Sequence, residues 1–333
     1  MKQQDILSLS EDGKTIIRCV DKYLSSIKIP NGVSKIGEKA FCDCHLLTSV
    51  EIPNSVTEIG EMAFFGCGIK EIVIPNSVII IGKYAFANCN NLFQLDVPYN
   101  PGYFPNNKET FNDDVHSKKT KSIKIPYSVT EIGEGAFWGY KSFIPLVVDK
   151  DNPCYCSEKG VLYNKDKTKL LCVPKDIVSF NIPSSVKEIG AMAFKECKEL
   201  IKIVIPNGVT KIGSHAFEAC SSLKSVIISN SVKEIQKWAF NACCELDSIE
   251  IPDSIDVIEQ GVFSFCSGLK SIKIPNNITE IQEYAFSYCT NLKSINIPKN
   301  SEIIIRDKVL LSLIDTNRIP LNNIGNSSTD SIL

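Results

Sequence analysis

Leu269-Lys-Ser-Ile-Lys-Ile-Pro275-Asn-Asn-Ile-Thr-Glu-Ile281-Gln-Glu-Tyr-Ala285-Phe286-Ser-Tyr-Cys289 decides the fold, because the rest of the chain repeats it. Its Pro recurs at 30, 53, 75, 98 and 126 and again at 183, 206, 252, 275 and 298, with Ser229 in the Pro place of one rung. Most of the spacings are 22 or 23 residues. Eleven positions after the Pro stands Phe, at Phe41, Phe64, Phe86, Phe137, Phe194, Phe217, Phe240, Phe263 and Phe286. Fourteen positions after it stands Cys, at Cys44, Cys67, Cys89, Cys197, Cys220, Cys243, Cys266 and Cys289. Chance does not align nine Phe and eight Cys. The chain is a solenoid.

One rung can be read from its pattern. Ile272-Lys-Ile274 alternates apolar and polar residues, the mark of a short strand with one buried face. The Pro that follows lacks an N–H and suits a strand end. Val or Ile at Pro+3, Ile at Pro+6 and the Ala-Phe pair turn apolar groups inward again. The Ala-Phe-x-x-Cys piece predicts one helical or 3₁₀ turn on the opposite side. A single rung has no core of its own; stacking buries its Ile, Phe and Cys columns. At about 4.8 Å per stacked strand, eleven rungs make a body roughly 50–55 Å long.

The unit Ile-Pro-x-Ser-Val-x-x-Ile-Gly-x-x-Ala-Phe-x-x-Cys-x-x-Leu-x-x-Ile resembles the BspA-type leucine-rich repeat over residues 24–298. That resemblance implies an α/β repeat solenoid: a right-handed superhelix with a parallel sheet on its concave face and short helical turns opposite. It also implies a surface or secreted protein of bacterial or protozoan type, adhesin-like, with host matrix proteins such as fibronectin or fibrinogen as partners.

Two stretches depart from the period. The rung between Pro98 and Pro126 is five residues too long, carries Glu109 where Phe is expected, and reads as a bulging loop. Between Pro126 and Pro183 lie 34 residues beyond one period, where Gly160–Tyr163 and Lys169–Val173 flank a five-residue loop, Asn164–Thr168, as a β-hairpin. A similar phrase, Leu7–Cys19, opens the chain and reads as an N-terminal cap. The expected organisation is a cap over 1–23, front repeats over 24–140 with an irregular rung at 99–125, a hairpin insertion over 141–182, back repeats over 183–298, and a C-terminal cap and tail over 299–333. Glu302–Arg306 and Val309–Leu313 are apolar enough to close the array, and 322–333 reads as a frayed tail. Gly at Pro+7 gives way to Gln236, Glu259 and Gln282 in later rungs, so the position is expected to be tight but at negative φ.

Composition excludes several functions. With 333 residues, 44% apolar and 22% charged, this is an ordinary globular composition. A net charge of −2 and a scarcity of Arg argue against nucleic-acid binding. No apolar run approaches the roughly 20 residues of a membrane span. No signal peptide is visible at the start, where an apolar h-region is missing. Localisation and oligomeric state stay unassigned on these grounds.

The 14 Cys invite disulfide, metal and packing readings. Parallel Cβ vectors on stacked rungs do not reach disulfide geometry, and a straight row is not tetrahedral. Packed, buried free thiols are the expectation. Cys154-Tyr-Cys156 with Cys172 is a weak zinc fragment with no His nearby, and is expected to be hairpin core. His116 follows Asp113-Asp114 in the irregular loop and reads as solvated, while His45 and His215 sit on other rungs. The Ser column Ser225, Ser248, Ser271 and Ser294 has no base repeating beside it, and no phosphate loop or hydrolase motif occurs. No catalytic residue, metal site or cofactor is expected.

The outward strand positions, Pro−4 and Pro−2, are more informative. Val204 and Ile227 form an apolar pair on adjacent rungs with Lys202 and Ser225 beside them, and Val73 stands next to Glu71 further forward. An apolar pair on an exposed sheet can anchor a partner; the plainer reading is β-propensity. The expected function is non-catalytic binding of a protein partner on the concave sheet and loops. The alternative is an intracellular scaffold without adhesive role, consistent with many reduced thiols.

Overall fold

In the computed structural model, residues 6–89, 123–140, 146–298 and 303–315 are described. The irregular 99–122 stretch with His116, Asp113 and Asp114, and the tail beyond 315, lie outside them. The chain forms two compact units, Met1–Pro153 and Cys154–Leu333.

Each unit is a stack of parallel rungs, and most rungs contribute to two sheets. The Ile-x-Ile segment before the Pro forms the first. In the first unit Ser26–Lys28, Ser49–Glu51 and Glu71–Ile72 pair in parallel, as do Ile123–Ile125 and Leu146–Val148. In the second, Lys202–Ile205, Ser225–Ile228 and Ser248–Ile249 pair, then Ser271–Lys273 and Ser294–Asn296, with a Glu250↔Lys273 bridge between the two groups. The other sheet is built from two-residue strands at Pro+5 and Pro+6, such as Lys35–Ile36, Glu58–Ile59 and Ile80–Ile81. Ile at Pro+6 points inward there: Ile36, Ile59 and Ile81 are fully buried.

The Ala-Phe-x-x-Cys piece is not helical, which corrects the expected α/β class with helical or 3₁₀ turns. Among the described residues the one helix is Lys308–Asp315. The physical reason lies in the backbone. In all nine Phe-bearing rungs φ is positive at Pro+9 and at Pro+13, for example at Lys39 (54°) and Asp43 (58°) or Tyr284 (62°) and Tyr288 (60°). Left-handed residues four apart interrupt any right-handed turn. They are held by bonds between rungs: Lys39, Phe41 and Asp43 N–H groups donate to Glu61, Ala63 and Phe65 carbonyls, and the pattern continues rung by rung. The turn face is thus a third hydrogen-bonded ladder.

Packing follows from translation. Phe rings stack with centroids 4.8–5.9 Å apart within each unit. Their planes lie within 17° of parallel. Stacked aromatic pairs add about 0.5–1.5 kcal/mol each beyond area burial. The ladder cysteines are buried free thiols, as expected, and each fills a defined place. Cys67, Cys220, Cys243 and Cys289 donate S–H to the preceding rung's Phe carbonyl at 2.9, 3.1, 3.2 and 3.0 Å. Tyr140 takes the Cys place in its rung and is likewise buried.

The Pro+7 position is tight at negative φ, as its Gln and Glu occupants require. A Cβ on Gly60 would lie 2.8 Å from the Ile36 carbonyl oxygen. Glu259, Gln236 and Gln282 are absent from the positive-φ residues, and Gln236 Oε1 accepts the Ser214 N–H at 3.1 Å.

The ends are closed by substitutes for a missing rung. Thr15–Cys19, paired antiparallel with Leu7–Leu9, runs parallel to Lys35–Ile36, and Cys19 N–H donates to Ala40 C=O as a preceding Phe would. The second unit opens the same way. Tyr155–Glu158, Val161–Asn164 and Lys169–Cys172 form an antiparallel meander whose last strand runs parallel to Glu188–Ile189, and Val173 N–H meets Ala193 C=O. The first unit ends on buried Asn152, whose side-chain amide donates to the Pro126 and Val129 carbonyls at 2.8 and 2.9 Å. At the far end Ile304–Ile305 pairs with Glu280–Ile281, and buried Asp307 starts the helix. Asp307 Oδ1 accepts the Leu310 N–H at 2.8 Å, a helix N-cap. Its Oδ2 accepts the Phe286 N–H at 2.9 Å; in the earlier Phe rungs other than that of Phe137 the corresponding N–H goes to an Ala or Val carbonyl of the next rung.

Candidate functional site

Strand alternation places the nominated residues outward. Ile203, Ile205 and Val226 are buried, while Val204 is 51% and Ile227 60% exposed. Parallel register sets Val204 directly opposite Ile227 and Lys202 opposite Ser225. These four residues are therefore one patch. Val73, 72% exposed, and Glu71 lie in the other unit; Glu71 pairs through its backbone with Ser49, and its side chain lies outside the described part. Elsewhere the outward column is mixed: Val147, in register with Lys124, is also exposed, whereas Lys28 and Glu51 form an exposed ion pair at 2.6 Å, which contributes at most about 1 kcal/mol.

Among the described residues no three His, Cys, Asp or Glu side chains converge as a metal would need. Cys156 and Cys172 lie on separate strands of the meander, with Cys156 S–H donating to the Asn164 carbonyl at 3.3 Å. Burial pushes the Cys172 thiol up to about 12. Such a thiol is a poor nucleophile and a poor ligand at neutral pH. His45 Nδ1 is held by the Gly66 carbonyl at 2.8 Å.

Two features of the turn face were invisible along the chain. His215 Nδ1, Lys195 Nζ and Asn241 Nδ2 converge from three successive rungs on the Glu218 carboxylate at 2.7, 2.6 and 3.3 Å. Burial opposes ionisation of Glu218, but the His215 and Lys195 contacts outweigh it and hold the carboxyl down at about 2. The second feature is aromatic. Phe265 and Tyr288 stack at 4.3 Å, and Trp238 leans over Gly261 to lie 6.3 Å from Tyr284 two rungs away. All these aromatics occupy Pro+9 or Pro+13, and recognising those columns as outward-facing would have identified them.

The model of the BspA type leucine rich repeat region matches residues 19–144, 172–243 and 187–309, in six copies. The chain belongs to the BspA-type leucine-rich repeat family. Similar solved structures agree on the fold. The pneumococcal vaccine antigen PcpA superposes with a TM-score of 0.63 at 23% identity, over 95% of this chain and 81% of that one. A leucine-rich repeat protein from Eubacterium ventriosum gives 0.62 at 24% identity, over 90% and 92%. A leucine rich cell surface protein from Faecalibacterium prausnitzii gives 0.54 at 26% identity, over 91% of this chain and 64% of that one, so this BspA-type chain spans under two thirds of it. No match was found among the curated proteins. Proteins of this repeat family are generally non-catalytic.

Proposed function

We propose that this protein is a non-catalytic binding module that holds a protein partner on the exposed strand face of its second unit, with Val204 and Ile227 as the apolar anchor. One observation carries the reading: two large aliphatic side chains, more than half exposed, face each other across paired strands whose alternate residues Ile203, Ile205 and Val226 are buried. Lys202 and Ser225 supply the polar border, as in interfaces where a few apolar anchors sit inside a polar rim. Val73 with Glu71 is a second, smaller contact point on the first unit. An adhesin-like surface role follows the printed description of the Faecalibacterium neighbour as a cell surface protein. The scaffold reading draws on the 14 free cysteines, yet thiols that are buried and bonded to carbonyls persist in either compartment. Fractionation of the source cell separates the two: a wholly cytosolic pool supports the scaffold.

The test is the double substitution Val204→Lys and Ile227→Lys, with folding checked by circular dichroism. Affinity for a partner identified by crosslinking should fall at least tenfold, since hot-spot truncations cost about 2 kcal/mol or more. Unchanged affinity in the folded double variant removes this face from the function.

A further inference from the structure

A break in the Pro column, at Ser229, borders a depression beside the apolar pair. Ser229 has the N–H that Pro lacks and donates it to the Ile205 carbonyl at 3.2 Å, while its hydroxyl accepts the Ser231 N–H at 3.3 Å. These bonds keep the rung in register without a pyrrolidine ring, and Ser229 lines a surface depression together with Pro252 and Pro275. Ile228 is half-buried, where its counterparts Ile205, Ile251 and Ile274 are fully buried. The depression has a volume of about 330 Å³; buried Ile251 and Pro252 line it together with exposed Glu250, Asp253 and Lys273.

Its position and charge matter together. Ser225↔Ser248 and Val226↔Ile249 register places Glu250 next after Ile227 in the outward column, so the depression adjoins the apolar anchor. Lys28 and Glu51 occupy the same column in the first unit and neutralise each other. Among the described residues Glu250 and Asp253 make no ion pair, although Lys273 lies on the next strand. Two carboxylates against one ammonium leave the niche net negative.

Resting on the proposed strand-face function, we propose that this niche takes the cationic side chain of an extended protein segment whose apolar side chain covers Val204 and Ile227. Alternate side chains of an extended peptide are about 7 Å apart, and stacked strands about 4.8 Å, so an apolar residue and a basic residue two positions away reach both places. A guanidinium or ammonium there gains charge-assisted hydrogen bonds to Glu250 and Asp253.

The test uses the full chain and the peptide acetyl-Gly-Leu-Gly-Arg-Gly-amide, with Arg→Gln and Leu→Ser counterparts, titrated by NMR on the amides of Ser229, Asn230, Glu250 and Asp253. The Arg peptide should bind about tenfold more tightly than the Gln peptide at low salt, with the difference shrinking as ionic strength rises. Ser229→Pro, which restores the residue found in the other rungs, should bring the Arg peptide down to the Gln peptide's affinity and leave the Gln peptide unaffected. If Ser229→Pro fails to fold, Glu250→Gln with Asp253→Asn should give the same loss. Equal binding of the Arg and Gln peptides, an insensitive Ser229→Pro variant, or no binding by any peptide overturns the niche. If the niche fails while Val204→Lys with Ile227→Lys still abolishes binding of the Leu peptides, the strand-face function stands without it.

Discussion

Replacing Asp307 with Ala tests how this solenoid ends. The carboxylate is fully buried and its two oxygens serve two different donors, the Leu310 N–H of its own helix and the Phe286 N–H of the last Phe rung. Losing the N-cap costs about 1 kcal/mol. Leaving the buried Phe286 N–H without an acceptor costs about 1–3 kcal/mol more. Because each rung touches only its neighbours, the combined 2–4 kcal/mol falls on the final rung rather than on the whole array. Hydrogen exchange reads this directly. The Phe286 amide should exchange about 30- to 1000-fold faster in Asp307→Ala, at 1.4 kcal/mol per tenfold. Amides several rungs away, such as Phe217, should keep their protection. Asp307→Asn retains the cap but presents its amide to one of the two donors, and should fall between. An unchanged Phe286 amide in a folded Asp307→Ala variant would refute the carboxylate's role as surrogate rung, whatever happened to global stability.

Other outcomes follow from the same contacts. Burial raises the Cys89, Cys172 and Cys289 thiols to about 12, above the roughly 8.5 of an unfolded thiol. Their stabilisation is complete below pH 8.5 and lost as pH rises toward 12, since the unfolded chain releases protons first. Urea midpoints should therefore drop between pH 8 and 10, with a shallower slope in Cys172→Ala plus Cys289→Ala; an identical slope in that variant counts against the assignment. Glu218 behaves in the opposite sense: with its carboxyl held at about 2, its contribution is present above roughly pH 4.5 and lost as pH falls toward 2. Glu218→Gln should lower stability at pH 7 by a margin that disappears near pH 2, measured by thermal unfolding at both. In Gly261→Ala the new Cβ would meet the Trp238 ring at 2.1 Å. Positive φ itself is tolerated at this column by Lys39, Met62 and Tyr284, so the cost arises from the ring. Trp238 should swing out, seen as a red-shifted emission with Trp138 replaced by Phe, and unchanged emission would contradict the packing.

Much of the site was legible in advance because strand alternation is local. Lys202, Val204, Ser225 and Ile227 could be placed outward from their distance to the Pro, and the parallel register of identical rungs brought them together. Ser229 was visible as an anomaly, but its consequence was not. Whether a depression borders it depends on Ile228, Pro252 and Lys273, which belong to different rungs. The Glu218 cluster was illegible for the same reason: Lys195, His215 and Asn241 reach it across spacings of 23, 3 and 23 residues that carry no local signature.

The amino-acid sequence alone determined the period, the columns and the list of buried residues, since a repeated pattern stacked by translation must bury the same positions in each rung. What only the tertiary structure decided was the backbone between the columns. Ala-Phe-x-x-Cys has the composition of a helical turn. It becomes a left-handed-punctuated ladder because Phe and its neighbours bond to the next rung, roughly 22 residues away, rather than to residues four back. Those bonds exist only once two rungs are stacked. The same holds for Asp307, an ordinary N-cap residue along the chain, whose second oxygen becomes the acceptor that a further rung would have supplied.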